Sequence, residues 1–169
     1  MIKLISLLKE VEEAPKKLYC DLDGVLVDFE KGYENLTGKK APGVNSGYNA
    51  KEFWEPITKA GVPFWSNLDW MPDGKELWDH IKKFHPSILS APSRDESSRI
   101  GKKVWMKKHL PGVDLHLKAA EQKQDLAKEG DILIDDRVDN CRRWQLAGGT
   151  AIHHTSAAST IQKLKDLGY

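Results

Sequence analysis

The amino-acid sequence predicts an α/β fold with three layers, in which a parallel sheet is covered by helices on both faces. Short apolar runs of strand length alternate with stretches of helical periodicity over residues 72–169, and such alternation is typical of right-handed βαβ crossovers. Several of the apolar runs end in an aspartate or a serine, and ligands bind at the carboxyl ends of parallel strands. A length of 169 residues fits one compact domain with a small insertion.

The first two elements are a helix and a strand. Apolar residues recur at helical spacing over residues 2–13, which predicts an N-terminal amphipathic helix within residues 1–16. The first strand is expected over residues 17–22. It opens a core that we expect to comprise residues 17–28 and 72–169.

Residues 29–71 differ in composition from the predicted core. Glycine and proline punctuate this stretch, and it carries eight of the fourteen aromatic residues of the chain. The pattern predicts a small helical cap inserted after the first strand, with helices near residues 28–37 and 50–60.

Regular alternation resumes after the insertion, and with it the predicted core becomes a Rossmann-like three-layer parallel sheet. The expected helices cover residues 72–84, 97–110, 140–147 and 156–167, and the expected strands cover residues 87–90, 113–117, 131–135 and 150–153.

Composition limits the classes of partner. Charged residues make up 30% of the chain, yet the net charge is only +1, so binding to a nucleic-acid polymer is not favoured. The local basic cluster formed by Lys102, Lys103, Lys107 and Lys108 is predicted to be a solvated helix face. No signal peptide or membrane-spanning run is recognisable, so we expect a cytoplasmic protein without a membrane partner. Oligomeric state is left open.

The two cysteines are expected to be small buried hydrophobic residues and not a disulfide. Cys20 and Cys141 each lie beside an aspartate motif.

The most informative segment is Asp21-Leu22-Asp23-Gly24, which follows the first apolar run. Two carboxylates at the end of a buried strand are unfavourable unless a cation lies beside them. The segment therefore indicates metal-assisted phosphoryl transfer. A calcium loop would need more oxygen ligands at the next alternating positions, where Val25 to Val27 stand instead.

Three other predicted strand ends or loops carry polar residues in the same order along the chain. Ser90 ends one strand, Lys123 lies in a polar stretch before the next, and Asp135 and Asp136 end the strand after that. Taken singly, such a serine often caps a helix and such a lysine is usually solvated. Adjacent carboxylates are less ordinary because like charges repel.

Together these motifs resemble the four motifs of the haloacid dehalogenase (HAD) superfamily of phosphatases: motif I at Asp21 to Gly24, motif II at Ser90, motif III at Lys123 and motif IV at Asp135-Asp136. The resemblance implies that Asp21 is the nucleophile and forms an aspartyl-phosphate. Asp23 would protonate the leaving group and then activate water. Ser90 would donate a hydrogen bond to a phosphoryl oxygen, and Lys123 would neutralise charge there.

The resemblance also implies a Mg²⁺ cofactor, since oxygen ligands suit this hard cation. We expect the ligands to be the Asp21 carboxylate, the Asp23 backbone carbonyl and one motif IV carboxylate. Asp136 is the favoured direct ligand, with Asp135 supporting it.

A narrower resemblance, to the 5′(3′)-deoxyribonucleotidases, runs in pieces from about Leu18 to Asn140. Four stretches are similar to that family: Asp21 to Glu30, Phe64 to Gly74, Ser90-Ala91-Pro92 and Leu133 to Arg137.

This resemblance implies a nucleoside 5′(3′)-monophosphatase whose base lies under the cap. Phe29 and either Phe64 or Trp65 match base-pocket positions there, and Arg137 matches the arginine after motif IV. Aromatic faces stack on bases with about 1–3 kcal/mol each, although the same rings could simply form the core of the insertion.

Two departures put the substrate in question. Ala91 replaces a second hydroxyl, and Lys118 and Lys128 rival Lys123 as the motif III lysine. The alternatives to a nucleotidase are a phosphatase of polynucleotide 3′-ends or of another phosphorylated metabolite, a non-catalytic binding protein on the same fold, and, more remotely, a dehalogenase.

Overall fold

The computed structural model describes residues 16–42, 47 and 49–169. Its sheet has five parallel strands in the order β3-β2-β1-β4-β5. The strands are β1 (Leu18–Cys20), β2 (Ser87–Ser90), β3 (Leu115–Leu117), β4 (Ile132–Asp135) and β5 (Thr150–His153). The predicted Rossmann-like α/β fold is thereby confirmed. Because β1 is the central strand and both its neighbours are parallel to it, three strand ends meet at one edge of the sheet.

Helices connect the strands and cover the sheet. The described α-helices are α1 (Phe29–Thr37), α2 (Ala50–Ala60), α3 (Val62–Ser66), α4 (Gly74–Ile81), α5 (Glu96–His109), α6 (Val138–Leu146) and α7 (Ala157–Asp166). Two 3₁₀ helices cover Lys82–Phe84 and Ala120–Leu126.

Most predicted elements lie within a few residues of their expected positions. The short helix α3 was not predicted, because it follows α2 with only Gly61 between them and five residues show no helical period. The strands β1 and β3 are shorter than expected. The predicted helix over residues 2–13 lies outside the described residues.

The central strands are buried on both faces. Leu18, Cys20, Ile88 and Leu133 are each at most 2% exposed, which explains why their sequences are continuous apolar runs without alternation. Both cysteines are buried and unpaired, as predicted.

The insertion leaves and rejoins the rest of the chain at one place. The Asp28 amide donates to the Asp69 carbonyl at 2.9 Å, and the Met71 amide donates to the Leu26 carbonyl at 2.8 Å. These bonds hold the two ends of residues 29–68 side by side. The chain thus leaves and returns at one point of the sheet, which keeps the order of the strands, and the buried residues of the segment join the same hydrophobic core as the strands.

Helix α3 of the insertion packs closely on α5, and Gly101 is the residue that permits it. A Cβ atom at Gly101 would lie 3.0 Å from the Val62 carbonyl oxygen and closer still to the Trp65 Cβ. The close approach fixes Trp65 against α5. No helix in the described ranges is long and apolar enough to cross a lipid bilayer.

Candidate active site

The site begins at the turn that follows β1. The Asp21 amide continues the strand pairing by donating to the Ile134 carbonyl at 2.8 Å. The Leu22 carbonyl then accepts hydrogen bonds from the Leu26 and Val27 amides, both at 2.9 Å, and Gly24 takes a positive φ of 78°. The chain curls back on itself at once, so Asp21 and Asp23 stay at the edge of the sheet.

Three carboxylates meet at this edge. One oxygen from each of Asp21, Asp135 and Asp136 lies within 4.8 Å of the other two. Their encounter follows from the pairing of β1 with β4, because Cys20 lies opposite Ile134 and each strand runs directly into its aspartates. The structure thus brings together the three carboxylates that the sequence placed around Mg²⁺.

Lys123 forms ion pairs with two of these carboxylates. Its Nζ lies 2.9 Å from Asp21 Oδ2 and 2.7 Å from Asp135 Oδ2, and the residue is 1% exposed. Burial lowers the pKa of Lys123, but the Asp21 and Asp135 charges raise it, and the net result is a raised pKa. The ammonium therefore remains charged, and Lys123, in preference to Lys118 or Lys128, contacts the cluster.

Asp135 is enclosed by hydrogen-bond donors. Besides Lys123, the Arg137 amide donates to its Oδ1 at 2.9 Å, and Asn140 Nδ2 lies 3.0 and 3.1 Å from its two oxygens. Burial and then the Asp21 charge raise the pKa of Asp135 to about 6. Sequence reasoning missed Asn140, although its position one helical turn after motif IV could have indicated it.

Asp136 differs from Asp135 in that it lines an open cavity. Its carboxylate packs on Gly24, where a Cβ atom would lie 2.8 Å from Asp136 Cγ and closer still to Oδ2. Burial, followed by the charges of Asp21 and Asp135, raises the pKa of Asp136 to about 7. Of the two adjacent carboxylates, Asp136 therefore faces open space, whereas Asp135 is enclosed.

The donor set fits a hard divalent cation. Three carboxyl groups face one ammonium at this edge of the sheet, and carboxylates gathered in a largely buried place are unfavourable without a further cation. All the offered ligands are oxygens, as Mg²⁺ prefers. The pKa values of Asp135 and Asp136 are raised by burial and, after it, by repulsion from the neighbouring carboxylates, both of which disfavour the ionised forms.

Ser90 ends β2 at the same edge of the sheet and is fully buried. Within the described part of the chain its Oγ has no hydrogen-bond partner. Because a buried hydroxyl normally has one, an oxygen atom of a bound ligand is a suitable acceptor.

Asp23 makes an ion pair that the sequence did not predict. Its Oδ2 accepts from the Nζ of Lys102, which is 1% exposed. The prediction that this lysine belongs to a solvated face is therefore wrong, whereas Lys103, Lys107 and Lys108 are exposed as expected. The reason is that α3 covers the Gly101 side of α5, which is visible only once the insertion is in place.

A cavity of about 640 Å³ lies above the carboxylates. Asp21, Asp23, Lys123 and Asp136 line it, and so do three aromatic residues of the insertion. The predicted substrate residues that line it are Phe29, Trp65 and Arg137.

Two predicted substrate residues, Ser90 and Phe64, are not among those that line the cavity. Phe64 is buried behind the cavity, with its ring 5.7 Å from that of Phe29 and 5.1 Å from that of Trp65, both edge to face, so it is a core residue of the insertion. Trp54 and Arg94 line the cavity although neither was predicted. In the sequence, Trp54 could have been indicated only by its place in the aromatic-rich insertion, and Arg94 only by its place four residues after Ser90.

No family model and no curated protein matches this chain. Solved structures do match it. A HAD-superfamily hydrolase from Ehrlichia chaffeensis is 12% identical with a TM-score of 0.53, covering 92% of this chain and 100% of that one. A hydrolase from Streptococcus pneumoniae is 14% identical with a TM-score of 0.52, covering 88% and 97%.

A HAD family hydrolase from Deinococcus radiodurans, solved with bound phosphate and sodium, is 15% identical with a TM-score of 0.52, covering 90% of this chain and 89% of that one. At these identities the likeness is one of fold. This chain therefore has the fold of these HAD-superfamily hydrolases.

Proposed function

We propose that this protein is a Mg²⁺-dependent phosphomonoester hydrolase with Asp21 as its nucleophile, and that its substrate is a nucleoside monophosphate. The observation that carries the proposal is that Asp21, Asp135 and Asp136 come together beside the cavity and that Lys123 pairs with the first two. A hydrolase of the same fold was solved with bound phosphate, which agrees with a phosphorylated substrate. We place the activity in the cytoplasm on the sequence grounds given above.

In the first step, an oxygen of Asp21 attacks phosphorus while the bond from phosphorus to the ester oxygen breaks. Asp23 gives its proton to the departing alkoxide, which leaves as an alcohol. The product on the protein is an aspartyl-phosphate. Lys123 faces the negative charge that gathers on the phosphoryl oxygens, and the unpartnered Ser90 hydroxyl donates to one of them.

In the second step, Asp23 takes a proton from water as the water oxygen attacks phosphorus. The bond from phosphorus to Asp21 breaks, and inorganic phosphate and the free carboxylate result. Asp23 ends the cycle protonated, as it began.

Bound Mg²⁺ supplies positive charge for the phosphoryl oxygens and holds them in line with the nucleophile. Asp21 and Asp136 would hold it, together with the Asp23 backbone carbonyl, while Asp135 is kept in place by its own donors.

The nucleotide preference is supported by the aromatic residues that line the cavity. Phe29, Trp54 and Trp65 offer aromatic faces there, and Arg94 and Arg137 add positive charge. A volume of about 640 Å³ is within the range of small-molecule sites. A stacked base would gain about 1–3 kcal/mol.

The test is a phosphate-release screen with Mg²⁺ over nucleoside mono-, di- and triphosphates, sugar phosphates and 3′-phosphorylated oligonucleotides. We expect nucleoside monophosphates to be hydrolysed fastest. Asp21→Asn should lower kcat more than about 10³-fold because the nucleophile is lost, while Asp139→Asn, an exposed aspartate nearby, should leave kcat unchanged. An Asp21→Asn protein that kept about a tenth of the wild-type rate would exclude Asp21 as nucleophile.

The same screen tests the alternative that the substrate is the phosphorylated 3′-end of a polynucleotide. Lys103, Lys107 and Lys108 are exposed on α5 and would favour a polymer if they face the site. Fast hydrolysis of oligonucleotide 3′-phosphates that weakens steeply with salt would support that activity instead.

A further inference from the structure

Lys102 is a buried cation that the reaction described above does not use. Its side chain is 2% exposed and pairs with Asp23, whose side chain is 27% exposed. An ammonium is kept in such a place only when it is paired. Its partner is the carboxylate that would move the proton in both steps.

The position of Lys102 is set by the insertion as well as by its own helix. Its Nζ lies 5.2 Å from the centroid of the Trp65 ring, a cation–π distance. Gly101 lets α3 come close enough for Trp65 to cover the lysine. Since Trp65 also lines the cavity, one tryptophan touches both the substrate space and the partner of Asp23.

The ion pair makes the two oxygens of Asp23 unequal. Oδ2 accepts from Lys102, whereas Oδ1 is buried and has no hydrogen-bond partner among residues 16–42, 47 and 49–169. The ion pair at Oδ2 and the enclosure of Oδ1 together fix the orientation of the Asp23 carboxylate.

We propose that Lys102 is a positioning residue that holds the Asp23 carboxylate through Oδ2 in the orientation that proton transfer to the leaving alkoxide, and later from water, requires. This inference rests on the proposed function, because it presumes that Asp23 is the acid and base. Proton movement balances over the cycle, since Asp23 loses one proton in the first step and regains one in the second.

The test compares two esters that differ in their need for an acid. The alkoxide of a nucleoside monophosphate must be protonated as it leaves, whereas p-nitrophenolate leaves without a proton. For Lys102→Met we expect kcat/KM to fall about 10- to 100-fold with the nucleotide and to stay unchanged with p-nitrophenyl phosphate. With the aryl ester, kcat and KM should fall together, because only the second step then needs Asp23.

Two comparisons separate positioning from a structural effect. Lys103→Met is the matched control, since it makes the same change at the next residue of α5, where the side chain is exposed. It should leave both substrates unaffected. In an Asp23→Asn protein, Lys102→Met should change kcat/KM by less than about twofold, because Lys102 acts only through Asp23.

Equal losses of kcat/KM on both esters, or a loss from Lys102→Met that is as large in the Asp23→Asn protein as in the wild type, would overturn the inference. If thermal denaturation shows that the Lys102→Met protein is unfolded, the Lys102→Gln protein is measured in its place. The same results then support or overturn the inference. A wild-type protein without turnover on any ester overturns the proposed function and this inference together. Wild-type turnover with no difference between Lys102→Met and Lys103→Met overturns this inference alone.

Discussion

At the scale of single residues, the site depends on short-range geometry that the sequence partly encodes. Asp21 and Asp23 reach the edge of the sheet because one strand ends there and the chain then turns at Gly24. The turn is visible in the sequence as Asp-x-Asp-Gly. The second requirement on Gly24, room for the Asp136 carboxylate, comes from a residue more than a hundred positions away and leaves no local sign.

The role of Gly24 can be tested by adding one carbon atom. In Gly24→Ala, the new Cβ would displace the Asp136 carboxylate, so we expect the Mg²⁺ concentration needed for half-maximal activity to rise about 10- to 100-fold. Gly112→Ala is the matched control, since Gly112 has a similar φ of 81° with nothing within 4 Å of a Cβ. Gly112→Ala therefore introduces the same backbone strain as Gly24→Ala but no steric contact. A Mg²⁺ requirement that rises equally in both proteins would contradict the steric explanation.

At the scale of elements, the insertion supplies one wall of the cavity and its helices divide their aromatic rings between two tasks. Phe64 points into the cluster around Phe29, whereas Trp54 and Trp65 line the cavity. The aromatic content of residues 29–71 predicted the insertion. It could not predict which rings line the cavity and which are buried, because the type of ring does not indicate which face of a short helix is covered.

Trp54 offers the cleaner test of stacking, because it is only partly buried. In Trp54→Ala we expect KM for a nucleoside monophosphate to rise about tenfold or more, as loss of a stacked base removes about 1–3 kcal/mol. KM for glycerol phosphate, which has no ring, should stay the same. Trp78→Ala, a partly buried tryptophan of α4 outside the cavity, should change neither value. A rise with both substrates would make Trp54 a packing residue.

At the scale of the whole molecule, the concentration of negative charge at one edge of the sheet couples cation binding to stability. The folded protein raises the pKa of Asp135 to about 6 and that of Asp136 to about 7, from an ordinary 3.8. Both groups therefore bind protons more tightly when folded. Their contribution to stability is complete below about pH 4 and is lost as pH rises through about 6 to 7.

At pH values where Asp135 and Asp136 are ionised, bound Mg²⁺ should restore the stability that is lost with their protons. We expect Mg²⁺ at about 100 times its Kd to raise Tm by about 5–10 °C near pH 8, and by clearly less near pH 5.5, where Asp136 is protonated. Thermal denaturation at the two pH values, with and without Mg²⁺, measures this.

Asp136→Asn should abolish most of the increase in Tm, while Asp139→Asn, an exposed aspartate three residues away, should keep it. An increase of the same size near pH 5.5 and near pH 8 would show that protons and Mg²⁺ do not compete for this cluster.

The sequence by itself determined the α/β class, the approximate bounds of most core elements and the order in which the polar strand ends occur. It could do so because apolar periodicity and turn residues act over a few positions, and because parallel strands must present their carboxyl ends together. The encounter of Asp21 with Asp135 and Asp136 was predictable on this ground, and the structure brings them within reach of one cation.

Only the tertiary structure decided which side chains become buried where two helices meet. Lys102 and Lys103 are neighbours with the same chemistry, yet one pairs with Asp23 beneath Trp65 and the other is exposed. Phe64 and Trp65 likewise stand side by side and take different places. Such differences depend on the packing of α3 against α5, residues about 40 positions apart in the chain, and no local pattern records a contact of that kind.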